Sequence, residues 1–277
     1  MLGQRIVTAL ILLAVIVPAI FFAPPWVWGV VSLTLLCAGA LEWGRLMHAP
    51  RQGLMLAAAL AVTGALYLVW RGHLAQVPAP AFAVIVCAGS LAFWLSVALV
   101  SLARVHRTGP GMAIGALVLG AAWLSLYELR IESPLMLVSA MALVWLADIG
   151  AYFFGRALGR HKLAPRVSPG KTWEGAVGGA AVVLIVAAVV ALWWPSLATH
   201  VFSSHLISHL GWVAAACSLL LLTGLSIVGD LYESLLKRVA GVKDSGRTLP
   251  GHGGVLDRVD ALLPTMPACL LLLQLLR

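Results

Sequence analysis

The sequence predicts an all-α, polytopic integral membrane protein with about nine transmembrane helices and a cytoplasmic N-terminus. Three observations carry that prediction. Of 277 residues, 62% are hydrophobic and only 10% charged, with a mean hydropathy of +1.01. A soluble domain carries about 25% charged residues, so this composition excludes a soluble enzyme, a secreted disulfide scaffold and a disordered chain. Apolar runs long enough to cross about 30 Å of hydrocarbon recur along the whole chain. The basic residues, finally, gather in alternate loops.

Runs bounded by charge, proline or glycine fall at 6–23, 26–41, 54–70, 81–103, 111–127, 134–154, 173–194, 210–232 and 260–276. Lipid offers no partner to backbone N–H and C=O groups, so each run is expected to be a helix. The first run follows Arg5 as a signal peptide would. Pro24 and Pro25 close it without a small-residue cleavage site, however, and it is read as a retained first helix. An inside N-terminus places Arg5, Arg45, Arg51, Arg104 and Arg107 on the cytoplasmic side. It also places there two dense groups, Arg156, Arg160, Lys162, Arg166, Lys171 and Lys237, Arg238, Lys243, Arg247, Arg258. These make 15 of the 18 basic residues; only Arg71, Arg130 and Arg277 fall outside. Cytoplasmic loops accumulate Lys and Arg, which fixes the expected orientation and accounts for the formal charge of +8 without a nucleic-acid partner. Cys37, Cys87, Cys217 and Cys269 stand singly in apolar stretches and read as small apolar side chains, not disulfides or metal ligands.

Neither an internal repeat nor a linker divides the chain, so 1–277 is read as one membrane domain, with 1–133 a helical scaffold and 134–277 the catalytic half. In the scaffold, small residues such as Gly111 with Gly115 suit close helix contact. Seven of the ten acids, Asp148, Glu174, Asp230, Glu233, Asp244, Asp257 and Asp260, lie in the second half, beside the two densest basic groups.

Asp148 closes the sixth run, about seven residues or roughly 10 Å of helix from its inner end. An ionisable residue there is costly unless it faces a polar cavity. Gly170-Lys171-Thr172 invites a phosphate-loop reading, but the required earlier glycine is replaced by Pro165 and no strand precedes it. What remains is a loop entering a helix, with Ser168 as N-cap and Pro169 at the first position, beside a lysine able to meet a phosphate. Further on, Asp230 and Glu233 are three apart, as are Asp257 and Asp260, so helical pairs would share a face. Hard carboxylate oxygens suit Mg²⁺, which leaves room for substrate phosphates, and Lys237, Arg238, Lys243, Arg247 and Arg258 would neutralise them. Gly251-His252-Gly253-Gly254 permits close backbone approach to a ligand; His252 reads either as a capping group or as a binding residue. The residues alone point to a phosphate-handling, divalent-metal site at the cytoplasmic membrane surface, with one water-soluble substrate and one entering from the bilayer.

The run Ser234-x-Leu236-Lys237-Arg238-x₄-Lys243-Asp244-x-Gly246-x₂-Leu249-Pro250-x-His252-Gly253-Gly254-Val255-x-Asp257-Arg258-Val259-Asp260 resembles the signature of the phosphatidate cytidylyltransferase (CDP-diacylglycerol synthase) family, without departure over residues 234–260. The Asp148–Tyr152 and Ser168–Gly175 segments resemble it too. The resemblance implies CTP plus phosphatidate giving CDP-diacylglycerol and pyrophosphate, in phospholipid biosynthesis at a bacterial-type inner membrane, by attack of the lipid phosphate on the CTP α-phosphate. It implies Mg²⁺, with a second cation left open, on Asp230, Asp257 and Asp260. Lys237, Lys243 and Arg258 would hold CTP or pyrophosphate, and Ser168, Lys171 and Thr172 a substrate phosphate. Glu233, Ser234, Asp244, His252, Gly253 and Gly254 complete the expected substrate site, and Asp148 shapes its cavity. A homodimer is also implied. The rival reading, a transporter for a phosphorylated or anionic solute, calls for polar groups at the midplane in repeated broken helices; here they gather at one face.

Overall fold

The computed structural model describes residues 2–73, 79–105 and 109–277. Arg107, counted above among the cytoplasmic basic residues, lies outside the described residues, as does the side chain of Arg5. Helices α1 (Leu2–Phe21), α2 (Pro25–Leu46), α3 (Pro50–Gly72), α4 (Ala81–Phe93), α5 (Leu99–Arg104), α6 (Gly111–Glu132) and α7 (Pro134–Leu158) form the first part. A π-helical turn at Trp94–Ala98 carries α4 into α5. Strands β1 (Lys162–Ala164) and β2 (Ser168–Thr172) follow, then α8 (Trp173–Trp193), α9 (Phe202–Val239), α10 (Leu256–Val259) and α11 (Leu262–Leu275).

Among the described residues seven helices are long and apolar enough to cross a membrane, Ala81–Arg104 counting as one. Two shorter apolar helices, Ile6–Phe21 and Leu262–Leu275, stand where the first and ninth runs were expected. The chain is an integral membrane protein of mainly helical architecture.

Local sequence explains where the helices start. Pro25, Pro50 and Pro134 occupy first-turn positions, where a missing N–H costs nothing, and the Ser133 hydroxyl accepts from Met136 N–H at 2.9 Å. In α9 the helix breaks at Gly211, with φ 75° and ψ 170°, a backbone conformation only glycine adopts without strain. Leu54, Met55, Val62, Leu66 and Val69 leave one side of α3 exposed and apolar, a surface suited to lipid. Inside, α2 packs on α3 and α6, and α11 fills the space among α4, α6 and α9. Trp43, Trp94, Phe202, Leu256 and Met266 are fully buried in that core.

The α7–α8 pair packs backbone to backbone. A Cβ added at Gly150 would stand 2.9 Å from the Gly179 Cα, and one at Gly179 2.5 Å from the Ala147 carbonyl oxygen. The backbones touch because both faces lack side chains, the arrangement small residues permit in membranes. Gly115 makes a comparable approach, to the Trp43 ring, and Gly111, which opens α6 with φ +79°, accepts from Trp43 Nε1 at its carbonyl, 3.2 Å away. Both glycines of the expected pair thus meet Trp43 of α2.

Three further expectations change. Residues 162–172 form a two-stranded antiparallel hairpin, Lys162 opposite Thr172 and Ala164 opposite Ser168, so the fold is not purely helical. Ser168 lies in that hairpin and is not the cap of α8. Thr172 is the N-cap, its Oγ1 accepting from Gly175 N–H at 3.2 Å. Since α7 runs on to Leu158, Asp148 stands ten residues from its C-terminal end, about 15 Å along the axis instead of 10 Å.

Candidate active site

Two groups of ionisable side chains meet at the end of the molecule formed by the hairpin, the C-terminal end of α9 and α10. The first lines a cavity of about 460 Å³ between α7, the hairpin, α8 and α9. Asp148, Tyr152 and Arg156 come from α7, Lys171 and Thr172 from β2, and Asp230 from α9. The hairpin delivers Lys171 across the cavity, and its Nζ lies 2.6 Å from Asp230 Oδ2, both side chains being about one-third exposed or less. The hairpin is itself clamped to α8. Trp173 N–H donates to the His161 carbonyl at 2.9 Å, and the His161 ring meets Glu174 at 2.6 Å. Arg156 donates to the Tyr152 hydroxyl at 2.9 Å. Ala147, Ala151, Leu163, Ala176 and Ile227 also line the cavity, so its charged groups share the wall with apolar side chains.

The second group surrounds α10. Lys237, on α9, pairs with Glu233 one turn back and with Asp257 Oδ1 at 2.7 Å. The other Asp257 oxygen accepts from Ser245 N–H (3.0 Å), Gly254 N–H (2.9 Å) and lies 3.0 Å from Ser245 Oγ. Burial disfavours the charge on Asp257, but the Lys237 ammonium and the Gly254 N–H outweigh it and hold the carboxyl below its ordinary range. The intervening loop folds back on itself at a Leu249–Gly253 bridge. Left-handed glycines at Gly251 (φ 77°) and Gly253 (φ 85°) make that reversal possible.

Not every expected residue presents its side chain to this cluster. The His252 carbonyl accepts from Arg258 Nε (3.0 Å) and Nη2 (2.6 Å), so here it is the backbone of His252 that holds Arg258. Lys243 and Asp244 are exposed on the loop. Ser234 Oγ donates to Asp230 Oδ1 at 3.4 Å. Ser168, in β2, does not line the cavity that Lys171 and Thr172 enter. Asp260 follows α10 and accepts from its own neighbour, Ala261 N–H, at 2.8 Å. A Cβ at Gly229 would lie 2.4 Å from the Asp260 carbonyl oxygen, and that close approach brings the two groups together. The Asp260 carboxyl then feels the charges of Asp230, Lys171 and Lys237. Among the described residues, no three His, Cys, Asp or Glu side chains converge as a metal cage.

Sequence reasoning passed over Glu42. It is fully buried in α2, yet its carboxylate accepts hydrogen bonds from the loop around α10. The one available signal was an acid just past the end of an apolar run. Thr223, a further cavity-lining residue, gave no signal inside its run.

A family model described as the cytidylyltransferase family matches residues 3–276. The chain belongs to that family. As a cytidylyltransferase it is a CTP-dependent nucleotidyltransferase, and its relatives match along its length. The phosphatidate cytidylyltransferase of Pseudomonas aeruginosa is 39% identical over 276 residues, covering 96% of this chain and 95% of the relative. That of Brucella suis is 40% identical, covering 95% and 89%. That of Haemophilus influenzae is 32% identical, covering 96% of each.

Proposed function

We propose that this cytidylyltransferase uses phosphatidate as its acceptor. A non-bridging oxygen of the lipid phosphate attacks the α-phosphorus of CTP, the bond to the β-phosphate breaks, and pyrophosphate leaves with its electron pair, giving CDP-diacylglycerol. The observation that carries this reading is the Lys171–Asp230 pair in a cavity also lined by Ala147, Ala151, Leu163, Ala176 and Ile227, which suits a ligand with an anionic head and a hydrocarbon body. The names of the relatives point the same way.

The lipid phosphate is already anionic, so the reaction needs no general base. The difficulty is to bring two anions together, which is a task of positioning and neutralisation. In this reading Lys171, with Thr172 on the same hairpin, holds one phosphate. Lys237, Lys243 and Arg258 hold the triphosphate and the departing pyrophosphate. Asp148 sets the polarity of the cavity wall. The Asp257 network keeps Lys237 fixed, with Glu233 and Ser234 shaping α9 and Gly253 and Gly254 admitting the nucleotide close to the backbone.

The donor set fits Mg²⁺. That ion takes one or two carboxylates and fills its other positions with water and phosphate oxygens, so a three-residue cage is unnecessary. Asp230 and Asp260 stand close enough to act on one another, burial and the Asp230 carboxylate pushing the Asp260 carboxyl up to about 7, and with Asp257 they would hold it. When bound, the ion supplies positive charge to the reacting phosphates. The basic residues favour a cytoplasmic N-terminus and a site on the cytoplasmic face of a bacterial inner membrane.

The test is pyrophosphate release by the purified full chain, leaving out CTP, phosphatidate or Mg²⁺ in turn. The expected result is release that requires all three and yields a CDP-lipid. CTP-dependent release with another acceptor, or none with phosphatidate, overturns the reading.

A further inference from the structure

We infer that Glu42 is a positioning residue for the reaction: from the scaffold half it holds the 245–256 loop, and through Ser245 it sets where the Asp257 carboxylate stands. This deepens the proposed function and rests on its reading of that loop as part of the site.

The two Glu42 oxygens are matched alike. Oε1 accepts from Val255 N–H at 2.9 Å and Thr248 Oγ1 at 2.5 Å. Oε2 accepts from Leu256 N–H at 2.9 Å and lies 3.0 Å from Ser245 Oγ. All four donors belong to one segment, more than 200 residues away in sequence. The residue is 0% exposed, and among the described residues no basic side chain forms an ion pair with it. A buried carboxylate without a counter-ion is costly unless its lone pairs are filled. Here the loop fills them, so the loop conformation and the buried charge require one another.

The glycines of the loop record the same fit. A Cβ at Gly246 would lie 2.6 Å from Glu42 Oε1, and one at Gly254 2.5 Å from Oε2. Only a glycine at each position lets the backbone wrap the carboxylate this closely.

Ser245 makes the connection to the site. Its hydroxyl is 3.0 Å from Glu42 Oε2 and 3.0 Å from Asp257 Oδ2, while its N–H donates to that same Asp257 oxygen. One hydroxyl proton is thus shared between two carboxylates, and Asp257 in turn fixes Lys237. An amide at position 42 would turn an NH₂ toward two of the four donors and release one side of the loop.

The test compares Glu42→Gln, Ser245→Ala and the double variant with the wild type, all as full-length protein in lipid nanodiscs. Outer-shell partners of a site are worth about 10–100-fold in activity. Glu42→Gln is expected to lose that much in kcat, and Ser245→Ala several-fold. The double variant should fall no further than Glu42→Gln, because both act along one path. The second readout needs no turnover. Trypsin should cut faster at exposed Arg247 in both single variants, with cleavage at exposed Arg166 of the hairpin unchanged.

Multiplicative losses in the double variant, or cleavage accelerated equally at Arg166 and Arg247, overturn the inference in favour of a general structural role. So does wild-type turnover and wild-type cleavage in both single variants. If wild-type protein fails to use phosphatidate, the acceptor reading falls, and the tryptic pattern alone still decides the role of Glu42.

Discussion

Two of the chain's ion pairs, Arg71–Glu128 and Lys171–Asp230, begin from the same problem and end differently. In the scaffold half, Glu128 of α6 receives Arg71 of α3 through two bonds of 3.0 Å, Nε to Oε1 and Nη2 to Oε2, with the Tyr67 hydroxyl added on Oε1. Both charged side chains are 2% exposed or less, and each carboxylate oxygen is engaged. In the other half, Lys171 and Asp230 meet at 2.6 Å but keep 26% and 32% exposure at the wall of a cavity of about 460 Å³. A charge within a membrane protein is costly until something answers it. Glu128 is answered completely by the protein in a fork-shaped pair, which makes it a structural clasp. The Lys171–Asp230 pair stays partly open at a cavity wall, where the proposed function seats a ligand's own charge.

That contrast breaks most visibly if the clasp is cut. Arg71→Ala leaves Glu128 buried without its partner and is expected to cost about 3–5 kcal/mol, read as a lowered thermal midpoint in detergent. Arg71→Leu combined with Glu128→Leu should recover most of the loss. Lys171→Met should do the reverse, lowering pyrophosphate release about 10²–10³-fold, the scale of a lost charge-stabilising donor. Its thermal midpoint should stay close to wild type. If both variants acted on stability alone, the distinction between clasp and site would fail.

Two smaller effects sharpen it. Gly179→Val drives side-chain atoms into the Ala147 carbonyl across the α7–α8 seam and should cost about 1–3 kcal/mol, seen in the same melting experiment. Thr172→Ala removes the cap of α8, worth about 1 kcal/mol. Because Thr172 also lines the cavity, activity should fall beyond what that destabilisation explains.

The helices were legible because hydrocarbon imposes a length on every apolar run; the sixth run and α7 share their start at Pro134, whereas α3 starts at Pro50, four residues before the run expected at 54. The hairpin was not legible. Strands of three and five residues are too short to show an alternating pattern, and Ser168-Pro169-Gly170 imitates the opening of a helix. Within the site, Asp148, Lys171, Asp230, Lys237 and Asp257 announced themselves as ionisable groups in an apolar chain. Which of them pair, Lys171 with Asp230 and Lys237 with Asp257, depended on how distant segments pack. Glu42 was hidden for the same reason, since its partners lie in a loop at the other end of the sequence.

The break at Gly211 leaves residues 212–239 as one uninterrupted helical rod, about 42 Å long at 1.5 Å per residue. The hydrocarbon slab is about 30 Å thick. An upright rod has some 12 Å, about two turns, to spare, a tilted one less, and the two turns at the hairpin end carry Glu233 and Lys237. Under the proposed function, that spare length would act as a gauge, holding those groups level with the lipid phosphates, where a nucleotide arriving through water and a lipid sliding in its leaflet meet.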